Sequence, residues 1–250
     1  MTVLLITARL GSTRLPRKHL LEVQGRPILQ FLVDAVNREF ASEIAGKQLQ
    51  TVIATSVKPE NQAFETALTG CVVFYGSDEN IPLRHLQAAE QFGAELVLSV
   101  DGDDILCNCV AIRDVFRSLS EGAKLSCTKG LPLGMNASGY RTSYLRERVA
   151  VLGEAVCETG WGRIFDPEDY DVINIPAPQD DSLRFTLDYQ QDFEFFSALL
   201  SRREISEGVW GVDQIVGWVF ERKLQEIPRP VVEEYWRNFN ELKRKEEAGE

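Results

Sequence analysis

Apolar positions along this chain come in two rhythms. Residues 3–6, 51–55, 71–75 and 96–100 are short, nearly continuous apolar runs, the pattern of strands buried on both faces. Between them, residues 27–40, 60–69 and 80–92 carry apolar side chains at helical spacing. The last two stretches stop at Gly70 and Gly93, suited to C-caps, and Pro27 suits a first helical turn. This β-α-β-α-β-α-β rhythm predicts an α/β fold, a parallel sheet with helices on both faces. Further on, residues 129–170 are rich in Gly, Pro and aromatic residues and predict an irregular insert that covers a site or forms a subunit contact. Ile173, Ile175 and the run 183–187 predict further short strands, and residues 189–203 and 212–225 predict helices. From about residue 235 the chain turns strongly charged, ending NELKRKEEAGE, and reads as a solvated, fraying helix end. No repeat or linker interrupts residues 1–250, so a single domain is expected.

The segments after the predicted strands carry the chemistry. In a parallel sheet, ligands bind beyond the carboxyl ends of the strands. After the first strand stands ARLGSTRLPRK, with Gly11 for close backbone approach, Ser12 and Thr13 as hydroxyl donors, and Arg9, Arg14, Arg17 and Lys18 as cations. Such a loop suits a polyphosphate. It is neither a Walker loop nor a dinucleotide fingerprint. The fourth strand runs into Asp101-Gly102-Asp103-Asp104, three carboxylates that repel one another unless a cation lies among them. After residues 183–187 come Asp188 and Asp192, which spacing alone reads as a helix N-cap and a solvated first-turn carboxylate.

Charge changes the list of partners. With 27 Lys and Arg against 38 Asp and Glu, the formal net charge is -11, which argues against nucleic acid or an anionic membrane. A local basic loop still acts on a small anion within a Debye length of roughly 8 Å. Five cysteines, an odd number without zinc-site spacing, argue against a disulfide framework or structural zinc. The opening apolar run reads as a buried strand rather than a leader, so a cytoplasmic location is expected.

ARLGSTRLPRK resembles the A-R-x-G-S-x-R-x-P-x-K signature of the cytidylyltransferases that make CMP-activated sugars, of the spore-coat polysaccharide and CMP-Kdo synthetase types. VIATS, YGSDENIPLR, VDGDD and LRFTLDYQQDFEFF resemble successive further segments of that family, so the likeness spans roughly residues 1–200. The resemblance implies a Rossmann-like nucleotidyltransferase fold, often a homodimer, and transfer of a cytidylyl group from CTP to a sugar, with an acidic keto-sugar as acceptor. It implies Arg9, Arg14 and Lys18 as catalytic cations, Ala8, Arg9, Gly11, Ser12, Lys18, Thr55, Ser77, Arg84 and Asp101 as nucleotide contacts, and Asp103 and Asp188 as ligands of Mg²⁺. No histidine base is evident; His19 is in position, but His19 and His85 read more readily as surface or helix residues, leaving Asp101 or Asp104 as alternatives. Other readings are another nucleotide, a sugar or alditol phosphate acceptor, or a non-catalytic relative. Arg17 stands where the family has Gly, and Asp101 replaces Gln or Thr.

Overall fold

Side-chain alternation on the first strand sets up the layers. In a computed structural model, which describes residues 1–153, 155–178, 180, 182–202, 205 and 210–248, β1 (Thr2–Thr7) sends Leu4 and Ile6 into one apolar core and Val3 and Leu5 into another. Successive side chains on a strand point to opposite faces. That is why its sequence is apolar without interruption. The chain continues through β2 (Glu22–Val23), β3 (Arg26–Pro27), α1 (Ile28–Glu39), α2 (Ala41–Ala45), β4 (Leu49–Ser56), α3 (Ala63–Ala67), β5 (Val72–Gly76), α4 (Ile81–Gln91), β6 (Leu96–Asp101) and α5 (Cys109–Ser120). It ends with β7 (Leu125–Lys129), β8 (Ser138–Arg141), α6 (Thr142–Leu152), β9 (Tyr170–Asn174), α7 (Gln190–Leu200), α8 (Val212–Glu221) and α9 (Arg229–Ala248).

Seven strands form one sheet in the order β5-β4-β1-β6-β8-β7-β9. All neighbours are parallel except β8, which runs antiparallel to both β6 and β7. α1 and α5 supply one core, and α4 and α6 the other. Thr7 pairs with Ala54 on one side and Asp101 on the other, so the carboxyl ends of β4, β1 and β6 share one edge. The basic loop and the acidic turn therefore emerge side by side. Gly102 makes this approach close: its N–H donates to Thr7 O at 2.7 Å, and a Cβ there would meet the same oxygen at 2.8 Å.

Two expectations change. Residues 129–170 are more regular than their composition suggests, holding β8 and α6, and α5 and β7 just before them escaped the sequence pattern. Residues 183–187 do not form a strand. Leu183, Phe185 and Leu187 alternate into the core as a strand would, but the backbone donors go to loops. Phe185 N–H donates to Leu133 O and Leu187 N–H to Asp103 O, both at 2.9 Å. The second bond ties the residue before Asp188 directly to the acidic turn. Gly134 permits the crossing, since it has φ +87° and a Cβ would sit 2.1 Å from Phe185 O. Gly134→Ala is expected to cost about 2–4 kcal/mol through clash and left-handed strain, read as a lowered Tm with activity falling alongside because the Asp188 segment must move.

Candidate active site

A cleft of about 740 Å³ opens at this edge of the sheet. Its floor is the loop after β1, held in shape by backbone bonds. Leu10 N–H donates to Asn61 Oδ1 at 2.9 Å, Leu15 N–H to Ser12 Oγ at 3.3 Å and Arg17 N–H to Leu10 O at 3.4 Å. Arg17 has φ 53°, a left-handed conformation that glycine adopts without cost. This accounts for Gly at the corresponding position of the signature that the loop resembles.

Lys18 lies at the centre. Its Nζ is 2.7 Å from Asp103 Oδ2 and 3.1 Å from Asp188 Oδ1, so one buried ammonium serves two carboxylates that are 85 positions apart in the chain. Burial works against the ammonium, but the two carboxylates outweigh it and hold the lysine pKa above its usual value. Asp188 also accepts from Arg14 Nη2 at 2.7 Å and Arg184 Nη2 at 2.9 Å. Burial favours the neutral form of Asp103 too, yet Lys18 and the His19 contact hold its carboxyl well below the usual range. His19 Nδ1–H donates to Arg9 O at 3.0 Å and its Nε2 is 2.8 Å from Asp103 Oδ1. His19 is thus a buried brace of the acidic turn, not a surface residue. His85 is buried as well, between Thr7 Oγ1 at 2.6 Å and the Tyr140 hydroxyl at 2.5 Å, and burial pushes it down to about 3.

The remaining acids of the turn are short of positive charge. Asp101 remains solvent-accessible, yet partial desolvation within the cleft, and then the neighbouring Asp103 charge, push it up to about 6, although the Trp161 indole N–H donates to it. Burial and the same neighbours drive Asp104 well above the usual range. Asp192 proves neither solvated nor peripheral. It is buried, paired with Arg184, and accepts from the backbone N–H groups of Asp188 and Tyr189 at 2.8 Å each. Tyr189, not Asp188, is the N-cap of α7.

Ala8, Arg9, Gly11, Ser12, Arg14, Lys18, Arg84, Asp101, Asp103 and Asp188 all line the cleft; Thr55 and Ser77 do not. Thr55 is fully buried at the end of β4. Ser77 N–H donates to Gln87 Oε1 at 2.9 Å, and its carbonyl accepts from Arg84 Nε at 2.7 Å. Arg84 also donates to Asp78 O at 2.7 Å and is pushed down to about 10 by burial, so its guanidinium holds the loop after β5. Arg141 ties β8 to the end of α5 through Leu119 O and Ala123 O, leaving its guanidinium engaged with backbone.

Glu158, Thr159 and Trp161, from the stretch after α6 that was expected to cover a site or form a subunit contact, line the cleft, but sequence reasoning missed the wall that α9 supplies through Tyr235, Trp236, Phe239, Leu242 and Glu246. Arg9 Nη1 donates to Glu158 Oε1 at 2.5 Å. Residues 235–248, expected as a solvated, fraying helix end, are helical through Ala248 but not simply solvated: Glu246 accepts from Glu158 N–H at 3.0 Å and Thr159 N–H at 2.9 Å. The signal was present: positions 235, 239, 242 and 246 keep helical spacing.

Among the described residues no group of three or more His, Cys, Asp or Glu side chains is arranged to hold a metal, the five cysteines are free, and no helix is long and apolar enough to cross a membrane. Against known proteins, the model of a family described as cytidylyltransferase matches residues 3–151. The chain is 26% identical over 207 residues to a spore coat polysaccharide biosynthesis protein of Bacillus subtilis, covering 79% of this chain and 85% of that one. It is 27% identical over 158 residues to a 3-deoxy-manno-octulosonate cytidylyltransferase of Serratia proteamaculans, covering 62% and 60%. Its fold is similar to that of a cytidylyltransferase from Leptospira borgpetersenii, with a TM-score of 0.71 at 18% identity over 90% of this chain and 95% of that one.

Proposed function

As the chain belongs to the cytidylyltransferase family, we propose that it transfers a cytidylyl group from CTP to a sugar hydroxyl, releasing pyrophosphate, with an acidic keto-sugar as the acceptor class. The observation that carries this reading is the single Lys18 ammonium set between Asp103 and Asp188, on the wall of the cleft where the basic loop emerges. A nucleotide triphosphate would recruit Arg9, Arg14 and Lys18, each of which in this state neutralises a carboxylate of the same cleft. Arg14 and Lys18 then face the phosphates that leave, where a fixed cation gains most as charge develops.

The same site fits Mg²⁺. Two carboxylates already converge on one cation, and the carboxylates of Asp101 and Asp104 line the same cleft beside them. Asp103 and Asp188 would hold the ion, with phosphates and water completing the shell, as is usual for Mg²⁺. When bound it would supply charge stabilisation to the α-phosphate. His19 keeps the Asp103 carboxylate oriented, and Arg184 does the same for Asp188. A homodimer and a cytoplasmic setting accompany this reading.

Thermal stabilisation in Mg²⁺ is expected to be largest with CTP or CDP among the four common nucleotides. Pyrophosphate release should require CTP in a screen of the four nucleotides against keto-sugar acids, hexose phosphates and alditol phosphates. Larger stabilisation by GTP or ATP would overturn the base assignment, and release confined to phosphate acceptors would overturn the acceptor.

A further inference from the structure

The helix that closes the cleft lies outside the stretch matched by the family model, which ends at residue 151. Its cleft-facing stripe is aromatic and apolar: Tyr235, Trp236, Phe239 and Leu242. Tyr235 and Phe239 stack with centroids 6.2 Å apart, and Trp236 meets both edge-on. Trp236 and Leu242 nevertheless remain 45% exposed. Large apolar side chains held open to a polar cavity await an apolar surface.

The wall is anchored to the reacting end of the site rather than draped across it. The Arg184 guanidinium that grips Asp188 lies over the Tyr235 ring at 4.2 Å, and Asn238 Nδ2 donates to the Tyr189 hydroxyl at 3.0 Å. At the far end Glu246 is fixed by Glu158, Thr159 and Arg163 Nη2, the last at 3.0 Å. Among the described residues, the Arg and Lys side chains that line the cleft, Arg9, Arg14, Lys18 and Arg84, come from the loop after β1 and from α4, and the charged group that α9 adds to the lining is the carboxylate of Glu246. The α9 residues that line the cleft offer no cation to a phosphate or to a sugar-acid carboxylate, so either anionic group would turn to the cations across the cleft. A sugar ring offers what the wall lacks, a face of C–H groups to cover aromatic carbon, with hydroxyls left for the acidic turn.

We propose that α9 is the acceptor-selecting wall of the site, with Trp236 and Phe239 as specificity-determining residues for a ring sugar that attacks through its own hydroxyl. This rests on the cytidylyl-transfer reading above. The test compares the full chain with Trp236→Ala, Trp236→Phe and Phe239→Ala, using CTP, Mg²⁺ and the keto-sugar acid, hexose phosphate or alditol phosphate that best supports pyrophosphate release. Trp236→Ala should raise the acceptor KM about tenfold or more and leave the CTP KM and the CTP-induced thermal shift within about twofold; Trp236→Phe should restore most of the loss. An equal rise in the CTP KM would assign the wall to the nucleotide, and an unchanged acceptor KM, or preference for a hexose phosphate or an alditol phosphate, would overturn the proposal while leaving cytidylyl transfer intact. Absence of release from CTP with every acceptor in the unaltered protein would instead bring down the underlying reading and the proposal with it.

Discussion

Asp188→Asn is expected to remove turnover and to lower the Tm, although on sequence alone the removal of one charge from an acidic cluster would relieve repulsion and stabilise the metal-free chain. The structure reverses that sign. Asp188 is 5% exposed at its side chain and faces Arg14, Lys18 and Arg184, three cations around one carboxylate. Asparagine keeps the shape but brings no charge, and it turns an NH₂ toward a guanidinium or ammonium. Breaking such buried pairs costs on the order of 3 kcal/mol, discounted on the Arg14 side, which is 32% exposed. For a chain of this length that is roughly 10 °C in Tm. Asp103→Asn should lose activity equally and lose less stability, because Asp103 is 29% exposed and faces only Lys18 and His19. Asp192→Asn, which as a solvated helix-end residue would cost little, should instead cost more than the usual 0.3–1 kcal/mol helix-terminus interaction, since Asp192 is buried against Arg184 and two backbone donors. Calorimetry with and without Mg²⁺, beside pyrophosphate release, separates these effects. Retention of activity within a few-fold in Asp188→Asn would remove Asp188 from the mechanism.

What could be read in advance follows from where the information lies in the chain. The sheet was legible because β1, β4 and β6 are buried on both faces and announce themselves as apolar runs, because the edge strand β5 keeps an apolar run although it is only half-buried, and because Gly70 and Gly93 punctuate the helices between them. The cleft's floor was legible because its residues sit together in one loop, 8–18, and one turn, 101–104. β8 was not legible. Ser138–Arg141 is four residues long, it carries a glycine because a Cβ there would meet Val97 O at 2.7 Å, and only its neighbours β6 and β7 make it a strand. The run 183–187 shows the opposite failure, a correct alternation without a strand, because its donors are taken by Leu133 and Asp103. Charge misled most in α9. Lysines and glutamates on the solvent side of 240–248 hid the stripe of Tyr235, Phe239, Leu242 and Glu246 that faces the cleft. Arg184 was hidden for a related reason: an arginine between apolar residues gives no sign that it will lie 2% exposed between Asp188 and Asp192.

Lys18→Ala should lower kcat/KM by about 10²-fold or more, and its stability profile distinguishes a shared counter-ion from a generic loop lysine. In the unaltered protein the Asp103 pKa is depressed, so its stabilising contribution is present above the ordinary carboxylate pKa and is lost only as pH falls well below it. The lysine pKa is raised, so its own contribution is present below the ordinary lysine value and persists through neutrality. Without the ammonium, Asp103 and Asp188 face each other with less compensation at pH 7, whereas near pH 4 the freed Asp103 can take up a proton and shed the repulsion. The Tm deficit of Lys18→Ala should therefore be greatest near pH 7 and shrink toward pH 4. Mg²⁺ should raise the Tm of Lys18→Ala more than that of the unaltered protein, because in the latter the ion competes with an ammonium already in place. A deficit that stays constant with pH and is insensitive to Mg²⁺ would show that Lys18 does not hold the two carboxylates together, and activity within a few-fold of the unaltered protein would remove it from the chemistry.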